Sequence, residues 1–273
     1  MQFMLDRLFP KKTTPAKSDT SATAEPATPA VDKERISGEP TYSEDCLRVW
    51  SQSTDFMTDP KFLDAYDTGM STGHHIMRPE GSKEDIGIHW RVVTCCWAAT
   101  HAMLLDGDFV ECGVNTGIMS SAVCKYLDFN KTGRSFWLFD TFEGIPDDQI
   151  SPGERAGGRG DENVFYTGVW EHAQKAFAPY PKAHLVRGRV PDTLTSVPID
   201  RVAYLSIDMN ITLPEKAALA YFWPKLVSGA IVIFDDYNWL PYREQKLAHD
   251  AFAKSVGTQI LPMPTGQGVL IKP

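Results

Sequence analysis

Two short apolar runs of this chain end in carboxylates. Val202 to Asp208 (VAYLSID) leads into Met209-Asn210, and Ala230 to Asp236 (AIVIFDD) leads into Tyr237. If both runs are neighbouring strands of one sheet, Asp208, Asp235 and Asp236 converge with the Asn210 amide at one sheet edge. Carboxylates gathered in this way repel one another unless a cation joins them. Hard oxygen ligands without His or Cys select Mg²⁺, with Mn²⁺ or Ca²⁺ as alternatives. Such a cation lowers the pKa of a hydroxyl that binds it and readies that oxygen for attack. The competing explanation is local: a solvated Asp235-Asp236-Tyr237 turn, and Asp208 capping a helix that begins near Pro214. Either site alone fits that explanation, whereas two neighbouring strands ending in Asp favour the cation.

A second group of candidates lies nearer the start of the pattern. The run from Phe109 to Val114 ends Glu111-Cys112-Gly113-Val114-Asn115-Thr116-Gly117 and enters a helix at about Ile118. Gly113 and Gly117 would let a ligand approach the backbone, with Glu111 beside it. The absence of GxGxxG weakens a dinucleotide reading, and a purely structural turn explains the glycines equally well. The next run, Ser135 to Asp140, adds weight. Nucleotide-binding sheets place at this separation the acidic residue that accepts hydrogen bonds from ribose hydroxyls.

The elements that must position these residues are short β-rich runs alternating with helix-length stretches. They are Phe109 to Val114, Ser135 to Asp140, His184 to Val190, Val202 to Asp208 and Ala230 to Asp236. Strands apolar on both faces and linked by helices make a parallel sheet with right-handed crossovers. Thr258 to Pro262 and Gly268 to Lys272, joined by a Pro/Thr/Gly turn, close the chain as an antiparallel hairpin. The predicted fold class is α/β: a seven-stranded, mostly parallel sheet ending in that hairpin, helices on both faces, the class I methyltransferase Rossmann-like pattern.

Around this domain, assigned to residues 106–273, three further segments stand out. Residues 1–39 include a Pro/Ala/Thr/Ser tract that cannot bury enough surface to fold, and read as a tail or linker. An amphipathic anchor at Phe3, Met4, Leu5, Leu8 and Phe9 is the alternative to a frayed terminus there. Residues 40–105 read as helices packed on the core, a surface on which a homo-oligomer could form. The stretch from Thr141 to Tyr166, rich in Gly, Asp and Arg, reads as an irregular lid over the ligand crevice.

Composition excludes several function classes. Net charge −8 with scattered basic residues argues against nucleic-acid binding. No run approaches the roughly 18 apolar residues of a membrane span. Five cysteines without a CxxC pair read as reduced thiols of a cytoplasmic protein, with Cys95-Cys96 as core.

The stretches GDFVECGVNTG (107–117), FWLFDTFEGIP (136–146), LVRGRVPDTL (185–194), YLSIDMNITLPEKAAL (204–219), SGAIVIFDDY (228–237) and GVLIKP (268–273) together resemble the macrocin O-methyltransferase (TylF) family. The resemblance covers about residue 85 to the end. It implies S-adenosylmethionine-dependent, Mg²⁺-assisted methylation of a hydroxyl on a sugar or glycoside, a small-molecule or glycan acceptor. It implies that Glu111, Gly113, Gly117, Asp140, Thr141 and Phe142 line the S-adenosylmethionine site, and that Asp208, Asp235 and Asp236 ligate magnesium, Asp208 serving catalysis. Two departures matter. Asn210 stands where the family commonly has a second Asp, and the turn around Asn115 to Ile118 is atypical.

For the general base, His249 is the candidate, because an unperturbed imidazole titrates near neutrality; a core or exposed structural role is its alternative. His74 and His75 share both readings. Rival functions are a catechol-type O-methyltransferase and a catalytically silent methyltransferase-like protein that binds glycans or acts as a scaffold.

Overall fold

A computed structural model describes residues 38–79 and 84–273. The 1–37 part of the expected tail, including the candidate anchor, lies outside the described residues. The strands of the main sheet are β3 (Asp108–Cys112), β4 (Phe136–Asp140), β5 (Ala183–Arg187), β6 (Val202–Ile207), β7 (Leu226–Phe234), β8 (Leu261–Pro262) and β9 (Gly268–Ile271). They lie side by side in the order β5-β4-β3-β6-β7-β9-β8. β3 to β7 are parallel, and β9 runs antiparallel to both β7 and β8. The seven-stranded mixed sheet agrees with the predicted fold class, with strand ends shifted by a few residues.

Alternation along these strands builds two cores. Phe109, Phe136, Leu138, Tyr204, Ile231 and Ile233 face one layer, where Phe62, Val92, Cys95, Cys96 and Val123 cover them. Val110, Cys112, Phe139, Leu205, Ile207 and Phe234 face the other, against Leu219, Phe222 and Ala253. A period of two on a sheet covered on both faces explains why the runs read as continuously apolar. Helices α1 (Pro60–Met70), α2 (His89–Ala102), α3 (Ile118–Tyr126) and α5 (Trp170–Phe177) supply the first layer; α6 (Thr212–Phe222) and α7 (Arg243–Ser255) supply much of the second. Cys95 and Cys96 are core residues as expected, and all five thiols are free. Among the described residues no helix is long and apolar enough to cross a membrane.

Two expectations need correction. The segment before the sheet is not wholly helical, because β1 (Tyr42–Glu44) and β2 (Leu47–Val49) form an antiparallel hairpin. Its turn residues Asp45 and Cys46 both have positive φ, 49° and 59°, the conformation of a tight two-residue turn, without the usual Asn-Gly signal. Nor is the 141–166 stretch irregular. It contains α4 (Pro152–Ala156), closed by a capping box between Ser151 and Glu154, and a 3₁₀ helix over Arg159–Phe165. Its glycines obscure that order in the sequence.

Candidate active site

The sheet order reverses between β3 and β6, the place where open α/β sheets bind ligands. A cavity of about 1180 Å³ opens there. Glu111, Gly113, Asn115, Asp140 and Thr141, at or just past the ends of β3 and β4, line it, as do Asp45, Trp239, Tyr242, Glu162 and Tyr166. Asp208, Asn210, Asp235 and Asp236 all line it, so the hairpin, the sheet edge and the 141–166 segment enclose one space.

Backbone pairing just past the strand ends fixes the carboxylates. Asp208 N donates to Cys112 O at 2.8 Å, and Asp235 N donates to Ile207 O at 3.0 Å. The side chains of Asp208, Asp235 and Asp236 thereby offer oxygens that all lie within 4.8 Å of one another, a set that could hold a divalent cation. Asp235 and Asp236 are buried, and one oxygen of Asp236, Oδ2, has no partner. Burial, then the neighbouring Asp235 charge, pushes the Asp208 and Asp236 carboxyls well above the usual carboxylate range. Neither a solvated turn nor a helix cap describes them: the residue capping α6 is Ile211.

Part of the compensation comes from residues the sequence reading missed. Arg91 of α2 ion-pairs with Asp235 Oδ2 and donates from Nε to Asp45 Oδ2 at 3.0 Å. Burial opposes its charge, but Asp235 and Asp45 outweigh burial and hold the guanidinium charged. Gln267 Nε2 donates to Asp235 Oδ1 at 2.9 Å. Both oxygens of Asp235 are thus engaged, each keeping a second lone pair. Asp45 is itself pushed up to about 6 by burial, against the pull of Arg91. No motif marks Arg91 or Gln267; they lie 144 and 32 residues from Asp235 and meet it only through the fold.

Asn210 sits at φ 64° and joins two elements. Its Nδ2 donates to Asp208 Oδ1 at 3.1 Å, and its Oδ1 accepts from the Tyr166 hydroxyl at 2.8 Å. The amide therefore orients Asp208 and ties down the 141–166 segment, but it cannot take up a proton as a carboxylate would.

At the end of β4, Asp140 Oδ2 accepts from Val114 N at 2.6 Å and Asn115 N at 2.8 Å, while Oδ1 accepts from Phe142 N at 2.6 Å. Asp140 thus pins the glycine turn as well as facing the cavity. Glu111 is buried with Oε2 unpartnered, and burial, with the charges of Asp235 and Asp140, pushes it up to about 8. Its folded value lies above its unfolded one, so the stability it contributes is complete below about pH 4.5 and is lost as pH rises toward 8. Thermal melts of the ligand-free protein should therefore show the wild type losing stability relative to Glu111→Gln across that window, and parallel curves would contradict the assignment.

Five predicted site residues, Phe142, Gly117, His249, His74 and His75, do not line the cavity. Phe142, with φ 55° and its N–H held by Asp140, turns its ring into the core against Trp170, 4.9 Å between centroids. Gly117 faces Phe177, whose ring would stand 2.4 Å from an added Cβ, so it serves packing rather than ligand approach. His249 is buried behind β7, its Nε2 2.8 Å from Glu215 Oε2, and does not line the cavity; a base must reach the proton it takes. His74 is buried and His75 bonds Val164 O at 2.8 Å, and neither lines the cavity.

The sequence model of the macrocin-O-methyltransferase (TylF) family matches residues 91–259, more than half of the chain. The chain belongs to the macrocin-O-methyltransferase (TylF) family. Demethyldecarbamoylnovobiocin O-methyltransferase of Streptomyces niveus is 30% identical over 146 residues, covering 50% of this chain and 55% of that protein. Mycinamicin III 3''-O-methyltransferase of Micromonospora griseorubida is 28% identical over 144 residues, 49% of this chain and 56% of that protein. The chain spans about half the length of the curated relatives it matches. The structure of the O-methyltransferase NovP superposes with a TM-score of 0.63 at 18% identity, covering 81% of this chain and 99% of that one, which is a likeness of fold. The family match begins at Arg91, so it excludes the hairpin that bears Asp45.

Proposed function

We propose that this member of the TylF family transfers a methyl group from S-adenosylmethionine to a hydroxyl of a sugar or glycoside, with Mg²⁺ held by Asp208, Asp235 and Asp236. One observation carries the reading: three carboxylates converge, with Asp236 Oδ2 unpartnered, in the same cavity that Glu111, Gly113 and Asp140 enter from the neighbouring strand ends. The donor set fits a hard divalent cation, and the unpartnered Glu111 Oε2 fits a cationic or hydroxyl-bearing cofactor. When bound, S-adenosylmethionine supplies an electrophilic methyl group and Mg²⁺ supplies the positive charge that acidifies an acceptor hydroxyl.

The chain's own residues bind, orient and exclude water. Glu111, Asp140, Thr141 and the Gly113 backbone form the cofactor end. Asn210 steers Asp208 through its amide hydrogen bond, and Tyr166 holds Asn210 from the segment above, which acts as the lid. Residues 40–105, ahead of the methyltransferase domain at 106–273, add the hairpin wall and Arg91. Aromatic side chains of Trp239 and Tyr242, with the Glu162 carboxylate, suit the apolar faces and hydroxyls of a glycoside. The relatives' names, which include a 3''-O-methyltransferase, support that acceptor class.

Arg91 favours a second reading, in which its guanidinium rather than a divalent cation neutralises the carboxylates. A panel of glycosides and catechols offered with labelled S-adenosylmethionine, with and without a chelator, separates the readings. Label should pass to glycosides and only with Mg²⁺ present. Preference for catechols would overturn the acceptor assignment, and chelator-resistant turnover would favour Arg91.

A further inference from the structure

Next to the carboxylate turn lies a buried polar cluster that the proposed chemistry does not use. Glu215 in the first turn of α6, and Gln245 and His249 on α7, are each 3% exposed or less, and none lines the cavity. Glu215 Oε1 accepts from Gln245 Nε2 at 2.8 Å and from the Met209 backbone N–H at 3.0 Å. Glu215 Oε2 pairs with His249 Nε2 at 2.8 Å. Gln245 and His249, four residues apart, present one helix face to this carboxylate. The Phe234 ring stands 4.4 Å from the imidazole and closes that side.

Burying a carboxylate is costly unless its lone pairs are filled. Here the donors come from two places with different meanings. Gln245 and His249 fasten Glu215 to α7, and the remaining bond fastens Met209, the residue between Asp208 and Asn210. Asn210 sits at φ 64°, a left-handed conformation that Asn adopts more readily than most residues and that the contacts around it select. We infer that Glu215, clamped by Gln245 and His249, is a positioning residue that holds the Met209 N–H and so keeps Asp208 and Asn210 aimed into the cavity. The inference rests on the proposed methyl transfer. It also gives His249 a role: it acts through Glu215, with no contact to the reacting atoms. Because α7 follows directly from the Trp239–Tyr242 wall, the clamp links the acceptor side of the cavity to the carboxylate turn.

The test uses the full chain as wild type, Glu215→Ala, Glu215→Gln and Gln245→Ala, with three readouts. These are kcat with S-adenosylmethionine affinity, Mn²⁺ affinity by calorimetry, and amide hydrogen exchange of residues 208–211 in the ligand-free protein. Residues that orient metal ligands typically cost about 10- to 100-fold on removal, so Glu215→Ala should lose about that much kcat and Mn²⁺ affinity, exchange Met209 faster, and bind S-adenosylmethionine as the wild type does. Glu215→Gln keeps a carbonyl that accepts the Met209 N–H, and the imidazole can switch tautomer to meet its amide, so most activity should return. Wild-type kcat and Mn²⁺ affinity in a folded Glu215→Ala would overturn the inference, as would equal losses in Glu215→Ala and Glu215→Gln. If Glu215→Ala does not fold, Gln245→Ala decides: a loss of kcat and Mn²⁺ affinity with faster Met209 exchange supports the clamp, and no loss overturns it. A wild type that neither turns over nor binds S-adenosylmethionine would instead sink the methyltransferase reading, and Mn²⁺ affinity with Met209 exchange would then judge the clamp alone.

Discussion

Asp208→Ala should lower kcat by about two to three orders of magnitude, roughly 3 to 4 kcal/mol of transition-state stabilisation, while S-adenosylmethionine still binds. Asp208 stands at the centre of the carboxylate cluster. Its backbone is locked to β3 through Cys112 O, its side chain takes the Asn210 amide, and its oxygens lie within 4.8 Å of those of Asp235 and Asp236. The cofactor contacts proposed for Glu111, Asp140 and Thr141 come from other strand ends, so they survive the substitution. Steady-state kinetics beside calorimetry reads the two separately. Wild-type turnover in the variant would remove the carboxylate cluster from the mechanism. Weakened cofactor binding with unchanged kcat would move Asp208 to the other end of the cavity.

Gly113→Ala should cost both stability and activity. Gly113 has φ 91°, and a Cβ added there would stand 1.8 Å from the Asp208 carbonyl oxygen and 2.4 Å from its carbon. That neighbour is backbone, and it cannot step aside because Asp208 N is already bonded to Cys112 O. The left-handed conformation costs about 1 to 2 kcal/mol for alanine and the overlap about 1 to 3 more. At about 2–4 °C per kcal/mol for a domain of this size, the melting temperature should fall on the order of 5 to 15 °C. Gly133→Ala is the control: φ is 73° but nothing lies within 4 Å, so only the conformational cost applies. Equal melting shifts for the two would contradict the close approach of β3 and β6.

How much of this was legible in the sequence depends on whether the deciding contacts were local. Strand runs such as VAYLSID and AIVIFDD carry their burial in their own composition, so the sheet and its terminal carboxylates could be read directly. The Asp45-Cys46 hairpin could not, because Asp suits the first turn position but Cys46 takes the second, positive-φ position that Gly usually fills. Phe142 and Gly117 hold cofactor-like positions in the motif, yet side-chain direction depends on backbone torsions that a motif does not encode. His249 has the intrinsic pKa of a general base, and only tertiary packing reveals Glu215 between it and the turn. Arg91, Gln267 and Tyr166 meet the carboxylate cluster across long sequence separations, where no spacing rule reaches.

The most direct test is a titration of turnover. Protein stripped with a chelator and dialysed is supplied with S-adenosylmethionine and a glycoside acceptor, and methyl transfer is followed as Mg²⁺ is added back. No more than about a hundredth of the full rate is expected without added cation, with recovery that saturates with Mg²⁺ and no recovery in Asp208→Ala. Full turnover in the stripped protein, unchanged by Mg²⁺, would contradict it.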